Sequence, residues 1–474
     1  MSRCDVCYII SYGFSERMIL HTDVIKDLRK HGFSNISVIF PAKEGKSLKN
    51  LERYFGVKVY CLDVEHSFWS KEYLSLRTYI YEDITKNPAL LSKHLKARHE
   101  YKGHNPWRKV KPVLYYGIHK ASMKIQLIKK IFGVYENFIL RNRKLKRLLK
   151  EINPKMLVAT YPINFMEAAA IRLAKDNGIV TVTHLSSWDN ITCKGRFPAL
   201  SDYFISWGKI MTEELKEYYK LTNDSIYETG VSLFDKSIEL ASSQKIETYL
   251  EEMELDPKKP YLFFGMSSPY FAPKEIDIVE RLADQIKRNI YGDDMQLIIR
   301  PHPQNVQGEM KEKDWLSRLE SLSGNRIAVN LPLVNESKFS WNLEEEDLDK
   351  LANIISGCSM LINTGSTLSL EGILHGKPVI VTLFDADYNM KVYNSANRIK
   401  DYFHFRKLIN HQGVEVVYHY EALKSAILKY LENPSLDKEK REKAVQMQFG
   451  NVDGGASKRL SESLLDIMKK KSIT

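Results

Sequence analysis

MLINTGSTLSLEGILHGKPVIVTL, residues 360 to 383, holds one complete β-α-β unit. Met360 to Asn363 is an apolar run of strand length, and Thr364-Gly365-Ser366-Thr367 makes the turn. A helix then runs to His375, Gly376-Lys377 breaks it, and Pro378 to Leu383 is the next strand. Uninterrupted apolar strands that alternate with helices imply a parallel sheet covered on both faces. Upstream, Tyr261 to Phe264 predicts a strand that leads into Gly265-Met266-Ser267-Ser268-Pro269. A helix over Ile276 to Ile290 follows, then a strand over Met295 to Ile299 that runs into Arg300-Pro301-His302-Pro303. Ile327 to Asn330 is a short strand, Leu348 to Ser356 a helix, and Lys438 to Lys470 a charged helical tail.

The N-terminal half repeats the rhythm. Val6 to Ile10 reads as a strand, and Met18, Ile19, Ile25 and Leu28 recur at helical spacing before His31-Gly32. Further strands fall at Ile36 to Phe40, Val57 to Leu62, Met156 to Thr160, Ile179 to His184 and Tyr203 to Trp207. Residues 65 to 150 break the pattern with basic, aromatic, helical sequence. The expectation is an α/β chain of two Rossmann-like doubly wound domains facing across a cleft. Residues 1–245 form the first, with the insertion at about 65–150; residues 246–440 form the second; a helix in 441–474 crosses back to the first. Ligands of such sheets sit outside the carboxyl ends of the strands.

Composition narrows the class. The 474 residues are 43% hydrophobic and 27% charged, which excludes a disordered or collagenous chain. No run of about 18 apolar residues predicts a membrane span, and no secretory leader is read at the N-terminus. Five scattered cysteines suit a reducing cytoplasm. Cys4 and Cys7 have the spacing of a metal half-site, but no second Cys/His pair matches them, so they read as packing residues. The net charge of +11 is concentrated: residues 86–150 hold 18 Lys or Arg against Glu100 and Glu136, so this segment carries +16 and the remainder −5. It also carries Tyr101, Trp107, Tyr115, Tyr116, Phe132, Tyr135 and Phe138. Acidic lipid headgroups, a lipid-pyrophosphate acceptor and nucleic acid all fit such a surface. Leu145, Leu148 and Leu149 among the cations of 141–150 predict an amphipathic basic helix, and a solvated helix face is the plain alternative.

Four loops carry candidate chemistry. In the first, Gly365 lets a ligand approach the backbone, and Thr364, Ser366 and Thr367 open a helix whose free N–H groups suit phosphate. Glu371, one turn on, reaches for a ribose diol; Ser366 and Thr367 would equally serve as caps. In the second, two prolines fix the backbone around His302, so that Arg300, His302 and Pro303 present a phosphate contact; a rigid solvated loop is the plain alternative. In the third, Ser267 and Ser268 occupy the first strand-to-helix turn of the second domain, although GxGxxG is absent and an ordinary turn fits as well. The fourth, Ser186 to Gly195, gathers Trp188, Asp189, Asn190 and Lys194. Asp189 suits a general base, or with Asn190 an Asx-turn. Glu16 and His184 stand behind it as bases, and Arg17, Asn190 and Lys194 as contacts to acceptor or phosphate. Arg17 fits a surface helix arginine equally well.

RPHP, NTGSTLSLEG with HGKPVI, and the terminal DGGASKRLSESLLDIM resemble the C-terminal half of GT-B nucleotide-sugar glycosyltransferases of the surface-polysaccharide type. These include the CDP-glycerol glycerophosphotransferase group and the Kdo and capsule polymerases. The GFSERMILHTDVIKDLRKHG opening and the SSWDNITCKG loop also look like that clan, so the resemblance covers most of the chain outside 65–150. It implies that His302-Pro303 with Ser366 and Thr367 hold a nucleotide and its phosphates. It also implies that Asp453 to Ser457 opens the returning helix. The acidic first-domain motifs of the Kdo type find no match, so no catalytic base is carried over. The expected activity is transfer of a sugar from a pyrimidine nucleotide-sugar to a glycan or lipid-linked acceptor at the inner membrane face. No cofactor or metal is expected, and nucleic acid is not the expected partner. The alternatives are a CDP-activated polyol-phosphate transferase, a sugar-nucleotide epimerase, and a polyanion- or RNA-binding module.

Overall fold

The computed structural model describes residues 3–41, 46–63, 68–100, 106–241, 243–306, 313–333 and 345–473. Two compact units divide the chain, one of Met1–Asp235 with Gln448–Thr474, the other of Lys236–Glu336 with Ser340–Met447. In this division the chain passes from the first unit to the second at Asp235/Lys236 and returns to the first at Met447/Gln448. The reason is packing. Asp235 accepts a hydrogen bond from Ala456 N–H (2.7 Å), and Phe449 buries its ring against Trp207 and Phe234. These contacts hold the C-terminal segment in the first unit.

The first unit is built on parallel strands β1 (Cys4–Ile9), β2 (Ile36–Phe40), β3 (Lys58–Cys61), β4 (Pro154–Ala159), β5 (Val180–His184), β6 (Tyr203–Ser206) and β7 (Ile226–Glu228). Their order is β3-β2-β1-β4-β5-β6-β7. In register, Cys7 of β1 lies between Ser37 of β2 and Leu157 of β4. Cys4 and Cys7 are buried in this sheet, as packing residues should be.

The helix expected over 18–31 is two helices, α1 (Gly13–Leu20) and α2 (Val24–Lys30), with Thr22 Oγ1 bonding back to Met18 O at the break. α3 (Lys46–Phe55) precedes β3. The terminal helix Ala456–Ile473 packs on this unit with Leu460, Leu464 and Ile467 fully buried, and Ser461 Oγ meets His31 Nδ1 at 3.0 Å.

Between β3 and β4 run α4 (Phe68–Tyr81), α5 (Pro88–His99), α6 (Pro106–Lys124), α7 (Gln126–Ile139) and α8 (Arg143–Ile152). α9 (Phe165–Asp176) follows β4. The insertion is tied to the sheet by buried polar contacts. Arg77 of α4 pairs with Glu136 of α7 at 2.5 Å and also donates to the carbonyls of Arg196 and Phe197. Asn87 caps α5 and donates to Thr192 O at 2.7 Å.

α8 is the amphipathic basic helix expected over 141–150. Leu145, Leu149 and Ile152 are buried in the core beneath α9, with Leu148 packed against them, so the apolar face of this basic helix is internal. Tyr101 lies outside the described residues.

The second unit has β8 (Tyr261–Gly265), β9 (Gln296–Arg300), β10 (Ile327–Val329), β11 (Met360–Asn363), β12 (Val379–Thr382) and β13 (Glu415–Val417), all parallel, in the order β10-β9-β8-β11-β12-β13. Its core centres on Leu262, Phe264, Leu297, Ile299, Ile362 and Ile380. Both sheets thus have the doubly wound order in which the first strand lies between the second and the fourth. Each has its topological switch point there, between β1 and β4 and between β8 and β11.

Candidate functional site

In the second unit, three of the predicted loops are joined at the carboxyl ends of β8, β9 and β11. Ser267 Oγ donates to Thr364 O at 2.7 Å, which links the two loops that flank the switch point. Ser268 Oγ donates to Gln304 Oε1, and Asn305 Nδ2 to Ser267 O at 3.4 Å, which brings in the loop after β9. Thr364 Oγ1 is bonded to Thr382 Oγ1 at 2.7 Å. Ser267, Ser268 and Thr364 therefore staple the loops, with hydroxyls already committed. Pro303 opens the short helix Pro303–Val306 that positions Gln304 and Asn305.

The Arg300 guanidinium is buried, paired with Asp347 Oδ2 at 2.5 Å and bonded to Asn330 Oδ1, so these donors are engaged within the unit.

His302 lies in the loop after β9, half-buried. Gln304 N–H donates to its Nδ1 at 3.0 Å, so that nitrogen is the acceptor and Nε2 carries the proton. Burial lowers its pKa to about 4, so at neutral pH it is a hydrogen-bond donor and not a cation.

Gly365 has φ +62°, and a Cβ there would lie 2.6 Å from Ile399 Cγ2, so both conformation and space demand glycine. Ser366 Oγ accepts from Leu368 N–H at 3.2 Å, so it caps the helix Leu368–Leu374, whereas Thr367 makes no side-chain cap. Gly365, Ser366, Thr367 and Glu371 are half-buried.

The sequence reading missed Glu275. It is fully buried in the first turn of the helix Glu275–Lys287 and accepts from Ser267 N–H at 2.6 Å and from Thr364. Burial raises its pKa to about 8 against these hydrogen bonds, so it is mostly protonated at pH 7.

In the first unit, the switch point is closed by Glu167, also missed. It accepts from the backbone N–H of Ser11 (3.0 Å), Thr160 (2.7 Å) and Tyr161 (2.6 Å), and from Ser11 Oγ. Burial raises its pKa to about 7. Above it Tyr12 and Tyr161 stack at 5.1 Å, and the Lys194 ammonium lies 5.8 and 5.1 Å from their ring centroids. Lys194 pairs with Asp189 at 3.2 Å, and Ser187 Oγ donates to Asp189 at 2.6 Å. Burial disfavours the ammonium, but Asp189 and the two phenols outweigh it and hold Lys194 charged.

Asn190 is fully buried with both amide atoms unpartnered among the described residues, and Ser186 Oγ and His184 Nδ1 are likewise unpartnered. Burial depresses His184 to about 3, so it is a neutral imidazole and a poor proton carrier near pH 7. Glu16 is buried in the first turn of α1, and Arg17 places its guanidinium 5.3 Å from the Phe14 ring centroid. The structure thus groups Asp189, Lys194, Tyr12 and Tyr161. Only the strand order, which places β4 beside β1, would have pointed to Tyr161 and Glu167 in advance.

Two doubly wound units of this order define a GT-B fold. No protein-family model matches the chain, and no curated protein matches it by sequence. Solved structures match along nearly the whole length. A UDP-N-acetylglucosamine 2-epimerase aligns with TM-score 0.55 at 13% identity, covering 98% of this chain and 96% of that one. The UDP-GlcNAc 2-epimerase from Neisseria meningitidis bound to UDP-GlcNAc aligns at 0.54 and 14%, covering 98% and 100%. A glycosyltransferase from Rickettsia africae aligns at 0.51 and 13%, covering 99% and 100%. At this identity the likeness is one of fold. Among the described residues no helix is long and apolar enough to cross a membrane.

Proposed function

We propose that the chain is a nucleotide-sugar-dependent glycosyltransferase. The observation that carries this reading is the hydrogen-bonded junction of the β8, β9 and β11 loops at the switch point of the second unit. This junction holds the Gly365–Thr367 turn and the His302 donor at the strand ends, where doubly wound sheets take nucleotides. In this reading Gly365 admits a diphosphate to the backbone, and Ser366, Thr367 and His302 Nε2–H donate to its oxygens. Glu371 accepts from a ribose hydroxyl. These donors stabilise the negative charge that develops on the leaving diphosphate.

The first unit supplies the acceptor side. Lys194 pairs with Asp189 and orients it, and Asn190 has amide groups to give to a saccharide hydroxyl. The acceptor oxygen attacks the anomeric carbon, the carbon–oxygen bond to the diphosphate breaks, and the acceptor proton passes to Asp189. A growing glycan or a lipid-linked sugar is the acceptor proposed.

A second reading, epimerisation of a UDP-sugar, is supported by the names of several fold neighbours. It needs no acceptor. The test is a thermal-shift panel of UDP, CDP and GDP on wild type and His302→Ala. One pyrimidine diphosphate at a hundred times its Kd should stabilise wild type by about 2.7 kcal/mol, and the variant much less. CDP alone would favour polyol-phosphate transfer. Incubating UDP-N-acetylglucosamine without acceptor and following its C2 configuration by NMR separates epimerase from transferase. The reading fails if no nucleotide shifts the melt.

A further inference from the structure

The insertion exposes what a water-facing helix pair ordinarily hides. On α7 the inner stripe, Phe132 and Ile139, packs on the core, and Glu136 there is buried against Arg77 and Tyr73. The outer stripe is apolar as well. Leu127, Ile131, Val134 and Phe138, at helical spacing, are 61%, 58%, 71% and 70% exposed. Val110 and Val113 of α6 are 55% and 56% exposed. A helix that is apolar on both faces belongs in a buried setting, and here one face has no cover among the described residues.

The surrounding charge says what covers it. Residues 106–150 hold thirteen Lys or Arg, eleven of them exposed, and Glu136 is their only acid. Lys124 and Lys130 flank the stripe near its start, and Arg141 follows its end. A second copy of the chain on a two-fold axis would bring this positive field against itself. An anionic lipid leaflet satisfies both features, with headgroups for the cations and acyl chains for the stripe.

We propose that α6 and α7 dock the protein on an anionic phospholipid surface, with Leu127, Ile131, Val134 and Phe138 inserted below the headgroups. This moves the membrane contact from α8, whose leucines are internal, to α7. It stands independently of the nucleotide site.

The test is flotation of full-length protein with vesicles of phosphatidylcholine alone and of phosphatidylcholine with phosphatidylglycerol. Wild type floats with the mixed vesicles. Ile131→Ser/Phe138→Ser should bind them at least about tenfold more weakly, with an unchanged melt and an unchanged UDP shift, because both side chains are exposed in the free protein. Lys124→Glu/Lys130→Glu weakens binding only to the anionic vesicles. Three results overturn the proposal: wild type that stays unbound, binding that the Ser variant retains in full, or a wild-type dimer that the Ser variant makes monomeric without any vesicle binding.

Discussion

Arg300 separates a structural from a functional reading of the RPHP loop, and a double-mutant cycle decides between them. Its side chain is 5% exposed and that of Asp347 is 1% exposed, with N···O at 2.5 Å, and Asn330 takes another guanidinium proton. Removing one partner leaves the other charge buried without compensation, which costs about 3–5 kcal/mol. In a unit of roughly 200 residues each kcal/mol moves the melt by about 2–4 °C. Asp347→Ala should therefore lower the melting temperature of the second unit by about 6–20 °C, and Arg300→Met by a similar amount. Arg300→Met/Asp347→Leu, which removes both charges and keeps volume, should recover most of that loss. The assay is calorimetric or circular-dichroism melting with and without UDP. The reasoning is refuted if Asp347→Ala melts within about 1 °C of wild type while Arg300→Met abolishes the nucleotide shift. That pattern would make Arg300 a ligand contact after all.

Other residues give equally direct outcomes. Gly365→Ala forces a Cβ to 2.6 Å from Ile399 Cγ2 at φ +62° and should cost at least about 2 kcal/mol in denaturant titration, with partial rescue by Ile399→Ala. Leu464→Ala, at a fully buried contact of the terminal helix, should destabilise the first unit by about 2–5 kcal/mol in a urea melt. Glu275, raised to about 8, binds a proton in the folded state that the unfolded chain has released by pH 6.5, so stability falls as pH rises from about 6.5 to 8. His184, His302 and His375, all depressed, are neutral in the folded state; their unfolded forms, with pKa near 6.5, still bind protons at the lower edge of that window and offset part of the fall, so the slope is read between about pH 7.5 and 8.5. Glu275→Gln should flatten most of the slope, which reaches at most about 1.4 kcal/mol per pH unit for one group. A slope unchanged in the variant would show the carboxyl to be ionised. Asp189→Asn should abolish transfer from a nucleotide sugar while the UDP shift persists; retained transfer would remove Asp189 from the base role.

The fold was legible because the central strands of these sheets are buried on both faces, so runs such as Met360 to Asn363 and Met295 to Ile299 stand out without alternation. The edge strands Ile226–Glu228 and Glu415–Val417 were missed because both are short and carry polar or charged residues at the sheet margin. The α8 leucines misled because a basic helix packed on a core has the same sequence period as one lying on a membrane. The exposed stripe of α7 escaped notice for the converse reason, since apolar residues on all sides read as core. Among the site residues, loop identity was readable and side-chain commitment was not. Ser267, Ser268, Thr364 and Arg300 sit where expected, yet each is engaged by a neighbour from another strand. Those partners lie between 18 and 97 positions away along the chain, beyond the reach of local pattern.

The two buried glutamates carry the argument for which unit takes the phosphates. Both tie the loops that flank a switch point, but they do so from opposite sides. Glu167 reaches from the helix after the fourth strand of its sheet, Glu275 from the helix after the first. Glu167 consumes three backbone N–H groups, those of Ser11, Thr160 and Tyr161. Backbone N–H groups at that edge are what an anion would otherwise use, so the first unit has given them away. It offers instead a pair of aromatic rings, a lysine neutralised by Asp189, and an unsatisfied amide, which suit a hydroxyl-rich sugar better than a diphosphate. Glu275 takes one loop N–H, that of Ser267, and the Gly365 turn stays open to backbone approach. If this asymmetry sets the roles, Glu167→Gln should leave the UDP shift intact. Glu275→Gln should also preserve it, because burial raises the native carboxyl to about 8 and a carboxamide keeps an acceptor for Ser267 N–H. Loss of the UDP shift in Glu167→Gln, with that in Glu275→Gln unchanged, would assign the nucleotide to the first unit and reverse the reading.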